Sequence, residues 1–439
     1  MSGIRQSLDF VNFDQKKCTR CSACVKECPT KAIRIKGKKH IYMVDRCIGC
    51  GECIRVCRIG AVSPNTLEPQ LADKNKTHIA IVSPVLYGQF LNTMPEDVLM
   101  GLRKMGFHHI VDPSYYIEML QLATEEFVER NRQSKKIPWP VISPLCPVTI
   151  RLIAFRFPGL LQHILPLKRS IPLAAERIKE KYANASESSE RQSILYHITP
   201  CAAGNISSYA LSVQEPESVD QILGINEIFS MLLGCIKEID ESDKDQLSTD
   251  DLYYPPNRRS LMWGLPDGEI AGMRIEKSMA VSGLKETISY LEKIEVGLLK
   301  DVEYIEFRTC PEGCLGGPLT AVDKYMAKAA IHRMIKFIGK GRTMTRKKIL
   351  KRYENGYFFS EINLEKLAEL FATSKKPLSI ESMQEVERLL KKIKGRDCAA
   401  CGVPDCRTFA EEVVSGEASS DDCVLLKAYE IVERQKAGL

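Results

Sequence analysis

Sixteen of the seventeen cysteines in this 439-residue chain fall into four sets of four, and no other feature restricts the fold as much. Cys18, Cys21, Cys24 and Cys28 make one tight run, and Cys47, Cys50, Cys53 and Cys57 a second. Cys398, Cys401, Cys406 and Cys423 make a third set near the C-terminal end. Cys146, Cys201, Cys310 and Cys314 form a dispersed fourth. A [4Fe-4S] cube takes four thiolates, one per iron, so the pattern predicts a redox protein with about four such clusters. Cys235 is left over in an apolar stretch and reads as a small buried residue.

Thiols committed to metal imply a reducing compartment, so a cytoplasmic location is expected. MSGIRQSLDF has no apolar stretch of signal-peptide type and no twin arginine, and no run reaches the length of a membrane span. A content of 44% hydrophobic and 27% charged residues is that of an ordinary soluble globular protein. The net charge of +6 permits docking to an acidic protein but leaves no nucleic-acid footprint.

The two tight runs occupy the first part of the chain, and the polar stretch 65–77 reads as a linker. HIAIVSPVL, PWPVISPLCP, SILYHITPC and VEYIEFRTC are apolar runs of strand type. Between them, PLAAERIKEKYANASESSE reads as an amphipathic helix leading into a polar loop. Strands alternating with helices imply an α/β centre. Residues 239–260 read as a polar loop or extended segment, and the chain beyond TAVDKYMAKAAIHRMIKFIG as mainly helical.

CTRCSACVKECP and CIGCGECIRVCR share one spacing, in which the fourth cysteine of each run serves the other cluster. Cys18, Cys21, Cys24 and Cys57 would hold one cube, and Cys47, Cys50, Cys53 and Cys28 the other. The intervening KAIRIKGKKHIYMVD alternates and turns at Gly37, as a short hairpin does. The segment resembles a two-cluster bacterial ferredoxin domain, with Arg58 where a proline commonly follows the last cysteine. Zinc is the competing reading, disfavoured by eight thiolates at this spacing.

The dispersed cysteines each follow an apolar run, which places them at strand ends, where α/β proteins build sites. ISPLCPVTIRLI, ITPCAAGNISS and EFRTCPEGCLGGPLT, together with VSPVLYGQF, GLRKMGFHHIVD and VDQILGINEIF, resemble the signature segments of the iron-only ([FeFe]) hydrogenase large subunit. The resemblance covers roughly residues 1–340, and RLIAFRFPGLLQHILPLK with the C-terminal cysteines is most similar to the sensory branch of that family. It implies a hydrogenase-like α/β core over 78–375, a small α+β ferredoxin domain over 1–64, and a small, mostly helical iron–sulfur domain over 376–439. It also implies that Cys146, Cys201, Cys310 and Cys314 hold a cube, with Cys314 bridging to a two-iron site that carries CO and cyanide. Gly316 and Gly317 would give the close backbone approach a cluster needs. Glu306 matches an acid of the family, and Glu125, Glu126 and Glu129 lie where the family keeps proton-path acids, though a solvated helix face explains those three equally.

Three departures set this chain apart. Catalytic members carry a proton-passing cysteine where Leu145 stands, a cyanide-holding lysine where Gly204 stands, and a methionine where Arg308 stands. Leucine has no proton to give, and a positioned acid–base group is worth roughly a hundredfold or more.

CAACGVPDCRTFAEEVVSGEASSDDC resembles the small [4Fe-4S] domain of membrane electron-transport subunits and corrinoid iron–sulfur proteins, with tetrahedral zinc as the rival. The seven histidines form no ligand pattern, and adjacent His108 and His109 should point to opposite sides of a strand. The basic run 339–352 reads as a solvated helix face able to dock an acidic ferredoxin, and MWGLPDGEIAG has no P-loop pattern.

The expected function is a multi-cluster iron–sulfur protein that relays electrons or senses redox state or hydrogen, with impaired or absent hydrogen turnover. Clusters at both ends of the chain would let electrons in and out, and any signalling output would need a separate partner. The alternative is an active iron-only hydrogenase working with ferredoxin. A third reading is another reductive chemistry, with Arg308 binding an anionic substrate.

Overall fold

The computed structural model describes residues 11–37, 39–42, 46–64, 71, 75–185, 192–203, 219–240, 254–339, 344–372, 378–393, 395–428 and 431. Gly204 lies outside them, as does most of the expected linker. The chain divides into two compact units: Met1–Asn65 with Glu369–Leu439, and Thr66–Ala368.

In the first unit the N-terminal part runs β1 (Val11–Phe13), α1 (Ala23–Glu27), β2 (Ile33–Lys36), β3 (Lys39–Tyr42), α2 (Glu52–Arg55) and β4 (Val62–Pro64). β1 pairs antiparallel with β4, and β2 with β3. The β2–β3 hairpin turns at Gly37, whose φ of 59° suits glycine. Each cysteine run curls into a one-turn helix. The second run makes its left-handed steps at Gly49 and Gly51, the first at Arg20 and Ser22. Val25, Ala32 and Ile33 bury the apolar side of these loops.

The second unit carries two parallel sheets. β5 (Lys76–Val82), α3 (Pro95–Lys104), β6 (His109–Val111), α4 (Ser114–Ser134), β7 (Val141–Ile142), α5 (Pro147–Arg156), α6 (Ser170–Ala185), β8 (Gln192–Thr199), β9 (Gln221–Gly224) and α7 (Ile225–Lys237) follow in turn. Then come α8 (Arg258–Met262), β10 (Ser278–Ser282), α9 (Leu284–Glu295), β11 (Tyr304–Arg308), α10 (Lys324–Phe337), α11 (Arg346–Glu354) and α12 (Leu364–Ala372). One sheet has the order β6-β5-β8-β9, the other β10-β11-β7. Ile79, Ala80, Ile81 and Val82 are all buried, as expected of a strand covered on both faces. Pro95 and Pro147 sit in the first turns of α3 and α5, where a missing N–H does no harm.

The chain returns to the first unit with α13 (Ile380–Ile393) and α14 (Cys406–Val414). Ile393, Val403, Phe409, Cys423 and Leu426 form its local core.

Strand geometry separates His108 from His109: His108 Nδ1 accepts the His78 N–H at 3.0 Å, while the His109 ring packs on Tyr182. Cys235 differs from its expected burial. Ile228 and Leu232 take the inward face of α7 and leave Cys235 partly exposed. Among the described residues no helix is long and apolar enough to cross a membrane.

Candidate metal centres

Parallel strands of both sheets deliver the dispersed cysteines to one place. Cys146 follows β7 and caps α5, Cys201 follows β8, and Cys310 and Cys314 follow β11. All four line a single cavity of about 130 Å³. Val85, Leu145, Val148 and Trp263 close its apolar side, while Arg169, His197 and Arg308 reach it from polar positions. Gly317 lines it too, but the space that both loop glycines leave is filled by backbone. A Cβ on Gly316 would lie 2.0 Å from the Pro311 carbonyl oxygen, and one on Gly317 2.3 Å from that of Pro200. Their lack of side chains lets the cysteine loops close on each other.

β11 is buried along its whole length, charges included. Glu306 and Arg308 are two residues apart, hence on one face of the strand, and Arg308 Nε donates to Glu306 Oε1 at 2.7 Å. Two further donors are engaged: Nη2 donates to the Trp263 carbonyl at 3.0 Å and Nη1 to Cys314 Sγ at 3.4 Å. Its Cζ lies 5.5 Å from the Trp263 ring centre, a cation–π distance. Glu306 Oε2 accepts the backbone N–H groups of Glu269 and Ile270. Glu269 in turn accepts from Ser143 Oγ and from the Tyr304 hydroxyl at 2.8 Å.

Burial pushes Glu306 up to about 8, against the pull of Arg308 and with help from the Glu269 charge. Burial raises Glu269 too. Burial raises the Cys314 thiol, which Arg308 pulls back. Burial also opposes ionisation of Cys146, but hydrogen bonds from Thr309 and Thr149 outweigh it and hold that thiol below its ordinary value.

Leu145 lines the cavity as an apolar wall. Glu125, Glu126 and Glu129 do not line it. Glu125 accepts the Arg274 N–H, Glu126 binds Arg130 and Arg346, and Glu129 pairs with Arg132. The basic run is partly consumed by those same contacts, through Arg346.

In the first unit thiols of the two runs lie near one another. Burial pushes Cys24 up to about 11, and Cys18, Cys21 and Cys57 add to the effect. Cys50 is raised by burial, then by Cys28, Cys53 and Cys47. Backbone N–H groups point at sulfur from Arg20 to Cys18, Ala32 to Cys28, Gly49 to Cys47 and Ala61 to Cys57, at 3.2–3.3 Å. Such donors stabilise a thiolate. The C-terminal set lines its own small cavity, with Cys398, Cys401, Cys406 and Cys423 around it and the Asp397 N–H 3.4 Å from Cys406 Sγ.

These surroundings fit cubes. Burial raises the Cys24, Cys50, Cys53, Cys314, Cys401 and Cys406 thiols, and bound iron would supply the positive charge that favours their thiolates.

Several site residues carry no sequence signal. Trp263 and Glu269 come from the MWGLPDGEIAG segment, and His40 lies 3.5 Å from Cys18 Sγ, stacked on Phe13. Only the pairing of β3 with β2 brings His40 there.

Strand-end cysteines around one cavity, with paired cysteine runs in a separate unit, define an iron–sulfur protein with a hydrogenase-like α/β core. The chain belongs to the iron-only hydrogenase large subunit family, whose C-terminal-domain model matches residues 76–255 and 257–318. A 4Fe-4S dicluster domain matches 10–58, and an Fe-S cluster domain 395–425. The chain is 28% identical over 212 residues to the periplasmic [Fe] hydrogenase large subunit of Nitratidesulfovibrio vulgaris, covering 45% of this chain and 50% of that one. It is 22% identical over 174 residues to the NADP-reducing hydrogenase subunit HndD of Solidesulfovibrio fructosivorans, covering 36% and 30%. It thus spans half or less of the length of these curated relatives. An apo [FeFe]-hydrogenase HydA1 variant from Chlamydomonas reinhardtii shares the fold at TM-score 0.50 and 13% identity, over 68% of this chain and 97% of that one.

Proposed function

We propose that this protein is a multi-cluster electron relay or sensor built on a hydrogenase scaffold, with hydrogen turnover impaired or lost. Cys18, Cys21, Cys24 and Cys57, and Cys47, Cys50, Cys53 and Cys28, hold two cubes. Cys146, Cys201, Cys310 and Cys314 hold a third, and Cys398, Cys401, Cys406 and Cys423 a fourth. When bound, these clusters supply one-electron chemistry. The protein's part is to wrap the sulfurs in N–H donors, keep water from the central set with Val85, Leu145 and Trp263, and fix charge with Arg308. A one-electron carrier such as ferredoxin is the expected partner, and a separate protein would carry any signal onward. A reducing, cytoplasmic setting suits so many cysteines outside disulfides.

The single observation that carries this reading is Arg308. In the family, the sulfur at the Cys314 position bridges to the two-iron site. Here that sulfur accepts a hydrogen bond from a guanidinium locked by Glu306 and the Trp263 carbonyl. Leu145 adds a proton-inert wall to the same cavity.

A second reading, an active hydrogenase, is favoured by the cavity that extends past the four thiols. Infrared spectroscopy after anaerobic co-expression with hydrogenase maturation proteins separates the two. Absence of metal-bound CO and cyanide bands, with iron for four cubes, supports the relay. Bands together with rapid hydrogen evolution would overturn it.

A further inference from the structure

The two ends of the chain, which the sequence suggests as separate electron ports, meet in one compact unit. Their contact is built on the β2–β3 hairpin. Ile35 N–H donates to the Gly402 carbonyl at 2.9 Å, inside the loop that carries Cys401. Gly402 has φ 79°, and a Cβ there would sit 1.8 Å from the Ile35 carbonyl oxygen, so only glycine lets the backbones approach this closely. Arg34 is 1% exposed and its Nε reaches Glu412 Oε1 of α14 at 2.5 Å. Lys31 Nζ reaches Asp405 at 2.9 Å and Thr408 Oγ1 at 3.0 Å. Lys36 Nζ donates to the Glu417 carbonyl.

These anchors set cysteine loops side by side. One groove has Thr19, Arg20 and Ser22, from the loop of Cys18, Cys21 and Cys24, on one wall, and Ala400, Cys401 and Gly402 on the other. A docking surface made only for stability has no need to place cysteine loops at its edge.

We propose that the ferredoxin module and the C-terminal module form a single three-cluster electron-transfer head, in which the C-terminal centre exchanges electrons with the centre held by Cys18, Cys21, Cys24 and Cys57. The inference rests on the reading that the C-terminal cysteines hold a cube. In the step, one electron leaves one cube and reduces the other, no bond to protein changes, and no proton moves. An external one-electron carrier supplies or removes that electron. The head then has two neighbouring ports instead of ports at opposite ends of a chain-long wire.

The test uses the anaerobically reconstituted full chain, reduced with dithionite and examined by EPR with parallel iron and zinc analysis. The native protein should show broadened spectra from magnetic interaction between clusters. Cys398→Ser with Cys401→Ser should lose about four irons and the corresponding part of the broadening. Arg34→Met with Glu412→Met, which removes the buried anchor as a pair and alters neither cysteine loop, should keep its iron while the interaction between the C-terminal cluster and its neighbour weakens. Native spectra that are a plain sum of isolated clusters, or coupling unchanged in the fully loaded Arg34→Met with Glu412→Met variant, would overturn the shared head. Zinc in the C-terminal set, with no iron lost in the double variant, would instead overturn the cluster reading beneath it.

Discussion

Arg308→Met removes a fixed positive charge from beside Cys314 and restores the residue usual in the family. The arginine is 3% exposed, with Nη1 3.4 Å from the sulfur. A cluster on that sulfur gains negative charge on reduction, so Arg308 favours the reduced form and its loss lowers the potential. With an effective dielectric constant of about 20 and about 6 Å between charge centres, the interaction is about 3 kcal/mol. For one electron that is roughly 120 mV. Glu306 decides whether the full shift is seen. Below its value of about 8 it holds its proton with or without the arginine, and the variant loses a whole charge. Above that value the native carboxylate is ionised and offsets the arginine, and loss of the arginine's pull raises Glu306 further, so less net charge is lost. EPR-monitored titrations at about pH 6.5 and about pH 9.5 test this, the central signal being assigned by its loss in Cys310→Ser. The potential should fall by roughly 120 mV at the lower pH and by less at the higher. A fall under about 30 mV at the lower pH, or any rise, would refute the reasoning.

Glu306 also makes the apoprotein's stability depend on pH. Its folded value, raised to about 8 from 4.5, means that the folded state binds the proton more tightly. The stabilisation is therefore complete below the unfolded value and is lost as pH climbs to the folded one, by up to about 5 kcal/mol. Guanidinium titrations across that window should show the decline in the native chain and a shallower one in Glu306→Gln, the remainder coming from buried Asp112 and Glu269. Glu412→Ala strands the buried Arg34 charge and should destabilise the first unit by about 3–5 kcal/mol; hydrogen exchange at the Ile35 amide would report it, and unchanged protection would contradict the pairing. Gly316→Ala drives a Cβ into the Pro311 carbonyl and should cost the central set its iron, about four atoms per chain, as read by metal analysis.

The sequence carried the cysteine sets, the strand ends that present them and the hairpin at Gly37, because fixed spacing and period-two patterning are local signals. It also singled out Leu145, Gly204 and Arg308, since a residue that breaks a family pattern needs no coordinates to be noticed. The way Arg308 is neutralised was less visible. Glu306 could be inferred from its position two residues away on a strand, but Trp263 and Glu269 arrive from a segment without periodicity. His40 near Cys18 depends on strand register. The meeting of Ile35 with Gly402 joins residues from opposite ends of the chain, and nothing in either local pattern specifies the other. Cys235 was misjudged because an apolar helix stretch does not say which side faces inward.

The central claim is a four-cluster protein whose hydrogenase-like core no longer turns hydrogen over efficiently. The most direct test is a hydrogen-evolution assay with reduced methyl viologen on anaerobically matured protein, with iron counted in the same sample. The account predicts about sixteen irons in four cubes and turnover at least about a hundredfold below that of a catalytic family member assayed alongside. Turnover equal to that member's, from protein holding iron beyond the four cubes, would contradict it.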